Sequence, residues 1–158
     1  MKNFQNKAKI IKVSEALRIV LFLGLIGWAF AFVSCLVPWF FVLPRMEHLY
    51  PIQAYVWGGV ILQPVLGFFV NLKLYQFVNR LKSGCLFDVQ TVGYLSAAGK
   101  LWMVYWIYQT LFLGGRTWFF QVAMNWDLAC LFGALTLIFA AWFFREAQAL
   151  QEEQALTV

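Results

Sequence analysis

Charged residues are spread so unevenly along this chain that the gaps between them mark out its elements. Residues 19–44 carry no charge, and neither do 49–72, 101–115, 117–126 and 128–144. Within these gaps the apolar side chains run on without the alternation that a barrel strand imposes. A helix rising ~1.5 Å per residue crosses a ~30 Å hydrocarbon layer in about 20 residues. The pattern therefore predicts four membrane-spanning helices, near 19–43, 53–74, 95–115 and 122–144. The expected fold is all-α, an integral membrane four-helix bundle. It forms one domain over 1–158, with a basic N-terminal tail at 1–18 and a cytosolic helical tail at 145–158.

Composition points the same way. Hydrophobic residues make up 63% of the 158 and charged residues 12%, against roughly 25% charged in a soluble domain. Disorder requires low hydrophobicity and high charge, the reverse of what is present. Charge then sets the expected orientation. Ten basic residues (Lys2, Lys7, Lys9, Lys12, Arg18, Lys73, Arg80, Lys82, Lys100 and Arg145) fall on one side of the four spans, and two, Arg45 and Arg116, fall on the other. Basic residues accumulate on the cytoplasmic side, so both termini are expected in the cytosol. The first uncharged run is far longer than the 7–15 residue core of a secretory signal and is expected to stay as an anchor. Phe32-Val33-Ser34-Cys35 is a poor lipoprotein box, because the apolar run continues past Cys35 to Leu43.

Punctuation along the chain refines the elements. Ser14 is placed to cap the first helix, with Glu15 in its first turn. Pro44 and Pro51 bracket the first outer loop, in which Glu47 and His48 are too few for a metal site. Helix two is expected to run on through Lys82 to a stop at Gly84, with Asp88 capping the next helix. Between them, Leu86 and Phe87 expose apolar surface at the inner membrane face. The C-terminal tail is rich in Ala, Leu, Glu and Gln and should continue the fourth helix.

Candidate chemistry is sparse. There is one histidine, and no Gly-x-Ser-x-Gly, P-loop or His-Glu-x-x-His motif, so an enzyme is not expected and no cofactor or metal is implied. The cysteines, Cys35, Cys85 and Cys130, form no Cys-x-x-Cys pair and read as small packing residues; Cys35 and Cys130 would approach only if helices one and four touched. Gln63 and Pro64 in span two, Lys100 at the inner end of span three and Gln109 further along it are candidates for lining an intramembrane cavity. Pro64 alternatively marks a packing irregularity, and Lys100 alternatively snorkels to the phosphates. Arg116 and Asp127 are expected to form an ion pair at the outer interface. The basic N-terminal tail is expected to contact anionic lipid rather than nucleic acid.

Four spans, the Gly84-Cys85-Leu86-Phe87 turn and the ending Leu150-Gln151-Glu152-Glu153-Gln154-Ala155-Leu156-Thr157-Val158 resemble the bacterial domain-of-unknown-function family 2975. The chain departs from that pattern at Arg145-Glu146-Ala147, where members more often carry an acidic residue and a glycine. The resemblance implies a multi-pass protein of the bacterial inner membrane with no catalytic residues. Members are often encoded beside a small Xre-type helix-turn-helix regulator, which implies a regulatory or scaffold role toward that DNA-binding partner. The expected docking residues are Leu86 and Phe87 in the inner turn, with Leu150, Glu152 and Glu153 on the tail. The alternative is a small transporter, channel or lipid-binding bundle, and homo-oligomerisation stays open.

Overall fold

The computed structural model describes the backbone of residues 2–41, 50–83, 88–120 and 128–156, and the side chains of 11–37, 60–83, 88–112, 128–150 and 152–154. Four helices account for nearly all of it: α1 (Lys2–Phe41), α2 (Tyr50–Lys82), α3 (Val89–Phe120) and α4 (Leu128–Leu156). The shortest has 29 residues, well above the ~20 that cross a bilayer core. Three of them are apolar enough over a sufficient length to cross a membrane: α1 at Ile11–Val37, α2 at Val60–Lys82 and α4 at Leu128–Gln154. In α3, Trp102, Tyr105, Trp106, Tyr108, Gln109 and Thr110 introduce polar atoms into an otherwise apolar run.

The helix boundaries correct two expectations. Ser14 does not cap α1. The helix already begins at Lys2, and Ser14 lies inside it, 2% exposed. No Gly or Pro interrupts residues 2–23, and Lys, Gln and Ala all favour helix, so nothing stops the helix from extending through the basic tail. At its far end α3 runs to Phe120, beyond the expected limit at 115. The other punctuation reads as expected. Helix α2 reaches Lys82, and the Ser83 hydroxyl donates to the Arg80 carbonyl at 2.7 Å in its last turn. Asp88 stands one residue before α3, and its carbonyl accepts the first helical hydrogen bond, from the Val92 N–H at 3.1 Å. The tail after Arg145 is helical to Leu156.

Packing is serial. Helix α1 packs on α2, α2 on α3, and α3 on α4, with no comparable contact between α1 and α4 among the described residues. Small residues make the seams. Gly99 of α3, next to the fully buried Ala98, meets Leu137 and Ile138 of α4, and Gly133 lies under the Trp102 ring. On the other seam Gly67 of α2 receives Trp28, and Gly24 of α1 receives the Asn71 side chain. Apolar lipid offers no hydrophobic drive between helices, so close backbone approach and dispersion must hold them together. The outer faces match that setting. Phe22, Ile26, Phe30 and Val33 of α1 and Phe132, Phe139, Trp142 and Phe143 of α4 are all more than half exposed, far more apolar surface than a soluble monomer presents.

Candidate functional site

Polar side chains gather at one end of the bundle. There the first part of α1, the end of α2, the start of α3 and the last turns of α4 come together. Lys82 of α2 reaches Glu15 of α1 at 2.9 Å, and Arg80 of α2 pairs with Asp88 at 3.5 Å while also donating to Gln90 of α3. One turn deeper, Lys73 donates to Gln76 at 3.3 Å, and its ammonium lies 5.4 Å from the centre of the Tyr94 ring. Solvent screens partly exposed pairs of this kind, so each contributes little. They fix the register of α1, α2 and α3 more than they stabilise it.

Helix α4 joins this end through a cleft of about 220 Å³ lined by Val89 and Val92 of α3 and by Arg145, Gln148, Ala149 and Glu152 of α4. Gln148 donates to Glu152 at 3.0 Å along the helix. The residues expected to dock a partner therefore divide. Glu152 belongs to the face that lines the cleft, whereas Leu150 is 59% exposed on another face. Glu153 is exposed next to Glu152. Leu86 and Phe87 lie outside the described residues, as do Asp127 and the side chain of Arg116, so the inner turn and the outer ion pair have no described geometry.

Of the four residues expected to line an intramembrane cavity, Pro64 borders one of the clefts described. Pro64 is buried and lines a cleft of about 320 Å³ with Trp28, Ala29, Phe32, Val33, Val65, Phe68 and Phe69, an apolar space between α1 and α2. Lys100 is exposed, consistent with a stem that snorkels, and lines none of the clefts described here. Gln63 is half-buried and also lines none of them. The Oε1 of Gln109 is buried without a hydrogen-bond partner, as is the Nε1 of Trp106 one turn before it. Neither Cys35 nor Cys130 is in a disulfide. Among the described residues α1 and α4 make no contact comparable to that between neighbouring helices.

A further cleft was not anticipated. About 260 Å³ lies between all four helices, lined by Trp28 of α1, by Gly67, Val70, Asn71 and Leu74 of α2, by Trp102 and Tyr105 of α3, and by Cys130 of α4. Asn71 is 8% exposed, and its Oδ1 has no hydrogen-bond partner. The sequence held a signal for it. Gly67, Asn71 and Leu74 are spaced four and three residues apart and form one stripe of α2. Among the described residues no group of three or more His, Cys, Asp or Glu could hold a metal ion. In comparisons with known proteins, no family model, no curated protein and no solved structure matches the chain.

Proposed function

We propose that this chain is a four-span bacterial inner-membrane protein with both termini in the cytosol, α3 being the fourth span. It acts without catalysis as a regulatory or scaffold partner of a small helix-turn-helix transcription regulator. The observation that carries this reading is the gathering of the first part of α1, the end of α2, the start of α3 and the last turns of α4 at one end of the bundle. That end holds most of the basic residues, so the positive-inside rule turns it to the cytosol. The acids Glu15 and Asp88 pair with Lys82 and Arg80. Leu150, Glu152 and Glu153 are exposed on the part of α4 that extends past its apolar stretch. An acidic, partly apolar helix suits a groove on a basic partner, and occupying a DNA-binding surface would compete with phosphate contacts.

The test is co-purification with a small Xre-type helix-turn-helix regulator, comparing the intact chain with one ending at Arg145. Capture by the intact chain and loss with the shortened one is the expected result. Equal capture by both would take the tail out of the mechanism, and capture by neither would overturn the regulatory reading.

A further inference from the structure

We propose that the space around Asn71 is a binding site for a small apolar molecule, or the end of an acyl chain, that carries one hydroxyl or N–H donor. The inference is independent of the regulatory reading, since it concerns the interior of the bundle and not its charged end.

Three observations support it. The first is the unsatisfied acceptor. Asn71 is more than nine-tenths buried, and its Oδ1 has no partner. A buried polar group left unpaired is unfavourable, and natural structures almost always satisfy such groups. The second is orientation. A Cβ placed on Gly24 would stand 2.3 Å from Asn71 Nδ2 but 3.7 Å from Oδ1. The glycine thus lets the amide nitrogen press against α1 and leaves the carbonyl turned away from it. The third is the rest of the lining. Trp28, Trp102, Val70, Leu74 and Gly67 present ring faces and aliphatic surface beside Asn71, and Tyr105 and Cys130 complete the wall. An apolar body with a single donor matches a mostly apolar wall in which Asn71 Oδ1 is left unpaired.

Size narrows the class. At about 260 Å³ the space lies just below the ~300–1,000 Å³ of pockets that enclose drug-sized ligands. It suits a one- or two-ring alcohol, or the hydroxyl end of a chain whose remainder lies in the bilayer. The space is partly open, and α1 and α4, which both line it, make no contact comparable to that between neighbouring helices among the described residues.

The test uses the full chain in lipid nanodiscs and two matched pairs of probes. One pair is 2-naphthol and 2-methylnaphthalene, for a free small molecule. The other is oleyl alcohol and its methyl ether, for a membrane lipid. The readouts are the unfolding midpoint by circular dichroism and protection of Cys130 from N-ethylmaleimide in a Cys35→Ser, Cys85→Ser background. At least one donor-bearing probe should bind about five- to tenfold more tightly than its donorless partner, the contribution of one hydrogen bond. Asn71→Leu, close to isosteric, should abolish that preference while keeping the apolar binding. Val70→Phe, which fills the space and leaves Asn71 in place, should weaken both members of a pair and serves if the Asn71 variant fails to fold. Preference for one pair identifies the source of the ligand. Equal binding within both pairs, or a preference that survives Asn71→Leu, would overturn the site and leave the space to water or lipid tails.

Discussion

Gly99 occupies a close backbone approach between α3 and α4. A Cβ there would lie 2.8 Å from Ile138 Cγ1 and 3.0 Å from the Ile138 backbone nitrogen. A side-chain tip can swing aside, but a helix backbone cannot move without its neighbours. Gly99→Ala should therefore destabilise the bundle by about 1–3 kcal/mol, the usual range for overpacking. Gly27 and Gly93 provide the contrast, because a Cβ at either meets nothing within 4 Å. Replacing either with Ala should be neutral or stabilising by up to ~1 kcal/mol, from helix propensity alone. Unfolding in mild detergent, followed by circular dichroism, distinguishes the three variants, and equal effects at all of them would contradict the seam described. At this scale the sequence was least legible. Eleven glycines are scattered along it, and nothing local separates Gly99, which faces a neighbouring backbone, from Gly93, which faces open space. Asn71 was obscured for the same reason. Gaps between charges show where a helix is apolar, not which of its faces meets another helix.

At the scale of elements, the pairs at the polar end set how far each helix slides against the next. Glu15 lies 67 residues from Lys82 in sequence and 2.9 Å from it in space. Their side chains are 49% and 34% exposed, so solvent screens the pair and its stabilisation is small. Glu15→Lys and Lys82→Glu should each lower stability only slightly, and the double swap should recover most of the loss. A double-mutant cycle at low salt measures this, and 1 M salt should shrink the coupling through screening. No recovery in the double swap would mean that the pair does not fix the register. Much of this level was readable in advance. The run of α2 through Lys82, the start of α3 after Asp88 and the helical tail all followed from side chains with strong local preferences. The start of α1 did not. Ser14-Glu15 has the form of a cap, but a cap ends a helix only where the preceding residues resist helix, and Lys2 to Val13 do not.

For the whole molecule, the positive-inside distribution makes a definite statement about sidedness. Single cysteines introduced at position 3 or 157, in a chain whose native cysteines are replaced by serine, should react with a membrane-impermeant maleimide only after the cells are opened. Labelling of either in intact cells would invert or break the four-span arrangement. The whole-molecule class was the most legible property of all, because a large excess of apolar residues over charges leaves few ways to hide them from water.

The serial packing of the helices also bears on how the molecule is made. Each helix has its main contacts with the one before it and the one after it. A nascent chain threading into the bilayer can therefore dock every new helix onto one already inserted. No early helix has to wait for a distant late one, and loop closure involves only short connections. Topologies dominated by such near-neighbour contacts are the fast-folding ones, and the amino-terminal half can be in place while the rest is still on the ribosome. A bundle closed by an α1–α4 seam would have to hold its first helix ready until the last one arrived.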